Sequence, residues 1–373
     1  MTAPDRPDLA EPHRARLGLP GLAVVLLGPG GARVDTAGTA DLGTGEPLRP
    51  DTPLRWYSLT KPVLAAAVLA AAEEGRVALA RPVGEALPEW RVDASPRRAA
   101  VSAHDLLTHA SGLRDRQFHA ASWFLAPDEP VPGSDGALAA ALRRRRRLAR
   151  GGFHYSNLGY ATLGRLLEVV DRASLEDVLR RRLLGPWGAS STRLNARAFP
   201  VDGQPPLARG HLRRAGVMAW ALRGLTGRRF FAGRVGAHHR LRPRELLFPA
   251  HGGLVGPATD LAKVLAGLLG RGEGPLLSEA VRVLQATPAA ACCGRGGARA
   301  DEQVTPGFCR LPSAPEAPDE PVLFHGGRGP GFTAELRLLP GRDVAVGVVG
   351  NVDFDARGLA VQVLREALAS GEI

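Results

Sequence analysis

Lysine is nearly missing from this 373-residue chain: two stand against 46 arginines. A guanidinium stays protonated at any accessible pH, whereas a buried lysine amine can lose its proton and act as a base. A lysine kept in a chain that otherwise uses arginine singles out Lys61, three residues after Ser58 in Ser58-Leu59-Thr60-Lys61. The other, Lys263, reads as a chance survivor, and composition alone leaves that reading open for Lys61 too. Cysteine is also scarce. Cys292 and Cys293 are adjacent and Cys309 stands alone, which excludes a disulfide framework and offers no C-x-x-C spacing for zinc. A reduced compartment is the simpler expectation. Long apolar runs are absent: Gly18 to Gly28 is too short to span a bilayer and is broken by Pro20. The N-terminal residues lack the basic-then-apolar order of a signal peptide, so a cytoplasmic location is expected. There is no H-E-x-x-H and no G-x-S-x-G, which leaves zinc proteases and α/β-hydrolases without support. No metal or cofactor is expected.

What is present is ordinary for a soluble globular protein, with 45% apolar and 23% charged residues. The length allows a large core and predicts two lobes. Aromatics reach only 5%, and 46 glycines with 31 prolines predict plentiful loops. The net charge of +11 has a local source, because between Asp202 and Glu245 there are ten arginines and no acid. Basicity concentrated in this way does not mark a nucleic-acid binder.

Along the chain, residues 1–17 read as a polar tail. Leu22 to Leu27 and Ala32 to Thr36 read as strands of a hairpin closed by Gly28-Pro29-Gly30-Gly31. Helices are predicted for Pro62 to Ala72, Ala103 to His109, Ala137 to Ala149, Leu158 to Val170, Leu175 to Leu183 and Ala356 to Leu368. Pro62 fits a first helical turn, where its missing N–H would have no partner anyway. Ala334 to Leu339 and Val344 to Val349 read as strands. Strands at both ends with helices between them predict an α+β fold. An antiparallel sheet is built from the two chain ends (18–75 and 250–373) and flanked by helices. A mostly helical lobe (76–249) is inserted, with a basic insertion at about 203–244.

Three short constellations could carry chemistry. If a helix begins near Ser58, Lys61 shares its face and the amine reaches the hydroxyl, while free backbone N–H groups suit a developing oxyanion. In Tyr155-Ser156-Asn157, a tyrosine near an ammonium can have its pKa lowered towards a base's range, and Asn157 could hold the lysine and a substrate carbonyl. The same residues also read as a cap for the helix from Leu158, and both readings can hold. In His325-Gly326-Gly327, glycines on a strand edge allow close approach of a substrate backbone. A glycine-rich turn with a histidine at a strand end fits that stretch equally well.

The order S-x-x-K, Y-x-N, H-x-G resembles the serine β-lactamase and penicillin-binding-protein superfamily. The likeness is greatest to its class C-like branch of β-lactamases, D-amino-acid peptidases and family VIII esterases. Asp51-Thr52-Pro53-Leu54-Arg55, Leu106-Leu107-Thr108-His109-Ala110-Ser111-Gly112-Leu113, Gly252-Gly253-Leu254 with Asp260-Leu261, and Val348-Val349-Gly350-Asn351 resemble further segments of that family. The resemblance covers residues 18–370 as one catalytic unit. It implies Ser58 as the acylated nucleophile, Lys61 and Tyr155 sharing general-base work, and Asn157 holding Lys61 and substrate. It also implies an oxyanion hole from the backbone N–H groups of Ser58 and Arg328. His325 stands where β-lactamases of this branch carry lysine. A mostly neutral histidine there favours ester or short-peptide substrates over β-lactams. Arg328 could restore an anion-binding charge if its side chain faces the cleft. D-stereospecific peptidase or β-lactamase activity is the alternative within the class, and a non-catalytic binding protein that kept the fold is the alternative outside it.

His109 is structural in the family segment, and His154, His238 and His239 are expected at the surface. Arg143 to Arg147 reads as a solvated helix face. The basic stretch, with Met218, Trp220, Phe230 and Phe231 interleaved, reads as a cleft-flanking insertion that could meet anionic substrates or an acidic surface. No nucleic-acid partner is expected.

Overall fold

The computed structural model describes residues 8–90, 99–113, 124–125, 129, 134–143, 152–199, 203, 205–226, 229–271, 288–291 and 301–373. Both chain ends contribute strands to one frame. The N-terminal part supplies β1 (Gly21–Gly28), β2 (Gly31–Asp41) and β3 (Glu46–Pro47). The C-terminal part supplies β4 (Ala290–Ala291), β5 (Gln303–Thr305), β6 (Phe308–Leu311), β7 (Val322–Gly329), β8 (Phe332–Leu339) and β9 (Val344–Gly350). These form a nine-stranded antiparallel sheet in the order β4-β5-β6-β7-β8-β9-β1-β2-β3. The ends meet where β1 pairs with β9, Leu22 opposite Gly350 and Leu27 opposite Ala345. The β1–β2 hairpin closes with Gly28 opposite Gly31.

Strands β1, β8 and β9 are buried at every position because both sheet faces are covered. Side chains alternate across a strand, so one run of apolar residues serves two cores. Ala23, Val25 and Leu27 face one core with Leu336, Leu338 and Val349. Leu22, Val24 and Leu26 face the other with Val344, Val346 and Val348.

The helices sort onto these faces. Helix α1 (Glu11–Leu17) occupies part of the stretch expected as tail. It buries His13 and ends at Gly18 in the left-handed conformation (φ 60°). Helix α2 (Thr60–Glu73) is apolar nearly all round, and every residue from Thr60 to Ala71 is buried. A helix without a polar face belongs in an interior, and this carries Lys61 inside with it. In the inserted lobe, α3 (Ala103–Leu107) starts on a Ser102–Asp105 capping box, and α4 covers Ser134–Arg143. Arg144 to Arg147 lie outside the described residues. Helix α5 (Asn157–Asp171) is capped by the Ser156 hydroxyl, which accepts from the Gly159 N–H, and α6 covers Leu175–Leu179.

The basic stretch forms a small unit with its own sheet. Strands His211–Arg213, His238–Leu241 and Phe231–Val235 lie side by side in that order. Helix α7 (Val217–Thr226) packs Ala219 and Leu222 against Leu212, Phe230 and Leu241. Finally, α8 (Ala258–Leu268) joins the first core and α9 (Ala356–Ser370) covers the second face with Leu359, Val363 and Leu364. Among the described residues no helix is long and apolar enough to cross a membrane.

Candidate active site

Ser58 sits on the single turn Tyr57–Leu59 that leads directly into α2. Tyr57 has φ 47°, in the left-handed region that costs a non-glycine residue about 1–2 kcal/mol. Two contacts hold it there. Its hydroxyl donates to the Pro330 carbonyl at 3.0 Å. Its ring lies against Gly329, where an added Cβ would stand 2.4 Å from a ring carbon. An added Cβ on Gly327 would stand 2.2 Å from the Trp56 carbonyl oxygen. The glycines of β7 thus let the strand press against the turn bearing Ser58. The group that approaches Gly327 here is the chain's own backbone.

Lys61 is wholly buried. Its Nζ lies 3.0 Å from Ser58 Oγ, 2.8 Å from Asn157 Oδ1 and 2.6 Å from the His251 carbonyl oxygen. The ring faces of Tyr155 and Tyr160 stand 4.8 and 5.4 Å from it. An ammonium would donate one proton to each of the three oxygens. A neutral amine would donate to the two carbonyl oxygens only, leaving its lone pair aimed at the Ser58 hydroxyl. Two of these three partners are carbonyl oxygens, which can only accept, so the hydroxyl is the one of the three that could also give a proton to the amine. Lys263 is its opposite, lying at the surface 3.1 Å from Asp260 with its side chain 45% exposed.

Tyr155 is 39% exposed, the most accessible of these groups. Its ring is 4.5 Å from that of His109 and 6.1 Å from that of His325. His109 accepts the Ser156 N–H on Nδ1 at 3.0 Å, packs against Tyr160 and Phe153, and has φ 57°. Burial first, then the Lys61 charge, holds it well below the usual imidazole range. A neutral ring locked beneath the Tyr155-Ser156 backbone is a scaffold for that segment. His325 is buried, with Nδ1 2.9 Å from the Gly326 carbonyl. A carbonyl can only accept, so Nδ1 carries the hydrogen and Nε2 keeps its lone pair. Burial and then Lys61 push this imidazole down to about 3, so it is neutral at pH 7.

The Arg328 side chain is turned to the surface. Its guanidinium is 2.7 Å from Asp353 and its side chain is 62% exposed, so that charge is spent on a surface ion pair. His239, expected at the surface, is buried, and His154 and His238 are partly covered. The His251 carbonyl was missed by sequence reasoning. The available signal was its position just before Gly252-Gly253-Leu254, since a backbone acceptor leaves no mark in its own side chain. Asp260 of that segment accepts from the Ser191 N–H and Thr192 hydroxyl, and Asn351 ties β9 to Thr39 and Ala40 of β2.

The profile of the Beta-lactamase family matches residues 7–369. This chain belongs to the beta-lactamase family. Its fold is the class C-like one: the octameric penicillin-binding protein homologue from Pyrococcus abyssi superposes with a TM-score of 0.76 at 22% identity, covering 97% of this chain and 76% of that one. The D-alanine carboxypeptidase AmpC from Burkholderia cenocepacia superposes with a TM-score of 0.71 at 20% identity, covering 96% of each chain. Esterase EstB from Burkholderia gladioli is 47% identical over 81 residues. That match spans only 20% of each protein.

Beside the Ser58 turn, this beta-lactamase-family protein has a cavity of about 500 Å³. Tyr57, Phe230 and Phe332 line it together with Arg197, Arg242 and Arg244. The Arg244 guanidinium stacks 3.4 Å over the Phe230 ring. Burial first, then repulsion from Arg229, pushes its pKa below the ordinary arginine value. Arg55 and Glu245, paired at 3.6 Å, line it too, so the wall is cationic on balance. Among the described residues no cluster of three His, Cys, Asp or Glu could hold a metal ion.

Proposed function

We propose that this member of the beta-lactamase family is a serine hydrolase that cleaves ester or amide bonds through an acyl-enzyme on Ser58. The observation that carries the reading is the position of Lys61 Nζ, 3.0 Å from Ser58 Oγ and within hydrogen-bond distance of the Asn157 and His251 carbonyl oxygens. Neutral Lys61, with Tyr155 beside it, takes the Ser58 proton as Oγ bonds to the substrate carbonyl carbon. The backbone N–H groups of Ser58 and Arg328 receive the oxyanion, and Asn157 steadies Lys61 and the substrate. Collapse breaks the bond to the leaving group, which takes the proton back from Lys61 or Tyr155. Water then adds to the acyl carbon, its proton passing to the same base, and the acid leaves as Ser58 regains its hydrogen.

Esters and short peptides fit better than β-lactams. The lysine of the family's K-T-G pattern supplies a cation for the lactam carboxylate, and this chain has a neutral His325 at that place. The local 47% identity to an esterase favours the same substrates. A D-stereospecific peptidase is the second reading, favoured by the likeness in fold to a D-alanine carboxypeptidase.

The test uses a fluorophosphonate probe and a short-chain p-nitrophenyl ester. Wild type is expected to label and turn over. Ser58→Ala should do neither, and Lys61→Arg should lose roughly 10²–10⁴-fold in rate because it keeps the charge but cannot deprotonate. Activity surviving in Lys61→Arg would remove lysine from the base's role, and an inert wild type would favour the non-catalytic reading.

A further inference from the structure

The basic stretch presents an apolar and a cationic feature on one surface. Helix α7 buries Ala219 and Leu222, and turns Val217 and Trp220 outward, 81% and 80% exposed. These two are the most exposed large apolar side chains among the described residues, and at i and i+3 they share a helix face. Directly beside them is a shallow cleft of about 610 Å³ lined by Arg213, Arg214, Arg223 and Arg234. Among the described residues none of these four has a carboxylate partner, and residues 203–244 contain no acid at all. His239 lines the same cleft, where burial and the charges of Arg234, Arg223 and Arg214 hold it below the usual imidazole value.

Holding four like charges together around a cleft is costly unless an anionic surface meets them. Exposing an indole and a valine beside them is costly unless that surface also has an apolar layer. One surface offers both. We propose that α7 and its arginine-lined cleft dock this protein on a bilayer rich in acidic phospholipid. Trp220 and Val217 enter the headgroup layer while Arg213, Arg214, Arg223 and Arg234 pair with lipid phosphates. A second copy of the chain is the poorer occupant, since it would bring four more arginines against these. At ten residues, α7 lies on such a surface and does not cross it.

The experiment is co-sedimentation of the full chain with vesicles of phosphatidylcholine, with and without about a third phosphatidylglycerol. Wild type should pellet with the acidic vesicles alone and be released as salt shortens the screening length. Neutralising Arg223 and Arg234 together (R223Q/R234Q) should weaken partitioning by about 25-fold, at about fivefold for each charge. Val217→Ser/Trp220→Ser keeps every charge and should weaken it by about tenfold or more. These positions are exposed, and circular dichroism with thermal unfolding checks that each variant keeps its fold. Failure of wild type to pellet with acidic vesicles overturns the proposal, as does wild-type pelleting by both variants. Trp220-dependent self-association, or binding of an oligonucleotide, without vesicle binding also overturns it.

Discussion

Replacing Asn157 by leucine tests the geometry around Lys61 most sharply. The substitution keeps the shape and removes the oxygen that Lys61 meets at 2.8 Å. A hydrogen bond to a charged group is worth about 1.5–3 kcal/mol and a neutral one about 1 kcal/mol. Its loss therefore penalises the ammonium more than the amine, by about 0.5–2 kcal/mol. At about 1.36 kcal/mol per pH unit, the base becomes easier to deprotonate by roughly one unit. The acid limb of the kcat/KM profile should accordingly move to lower pH by about that much. The plateau should fall by about tenfold to a hundredfold, since one of the two carbonyl oxygens that position the amine beside Ser58 is gone. The assay is hydrolysis of p-nitrophenyl butyrate from about pH 5 to 9, read at the isosbestic wavelength so that ionisation of the product does not distort the limb. An acid limb that stays in place, or moves upward, refutes the assignment of Lys61 as the titrating base held by Asn157.

Two further outcomes follow from the same region. His325 is held at about 3 in the folded protein against about 6.5 unfolded, so below pH 6.5 the unfolded chain binds a proton that the folded chain refuses. The contribution is fully present above pH 6.5 and is lost as pH falls towards 3. In urea titrations, His325→Gln should therefore lose about 3 kcal/mol less stability than wild type between pH 7 and 4.5, and an equal loss would contradict the buried neutral ring. The cavity walled by Arg242 and Arg244 should favour acyl groups ending in a carboxylate. The mono-p-nitrophenyl ester of succinic acid should show a KM several-fold below that of the butyrate, as a charge-assisted pair contributes about 1.5–3 kcal/mol when desolvated and less at this partly open wall. Arg244→Gln should erase the difference while sparing the butyrate, and an unchanged preference would place the anion's partner elsewhere.

The two lysines show what a sequence can and cannot say. Composition marked both as unusual and the S-x-x-K order pointed to Lys61, but the contrast in their surroundings is visible only in the fold: Lys61 rides on a helix with no polar face, and Lys263 lies beside Asp260 at the surface. Arg328 shows the converse. Its place after H-x-G was legible, but whether its side chain faced the cleft depended on Asp353, 25 residues away and brought near by the turn after β9.

The amino-acid order by itself determined the frame. Near-continuous apolar runs at both ends specify strands with two buried faces, and the S-x-x-K, Y-x-N and H-x-G elements are local enough to be read directly. Helix α2 was legible for the same reason, since its alanines and leucines cannot face water. The tertiary structure alone decided which backbone oxygen meets Lys61, and which N–H and rings the structural His109 holds. It also decided that the basic stretch folds around its own small sheet. These features join segments far apart in the chain or use main-chain atoms common to every residue, so no side-chain pattern announces them.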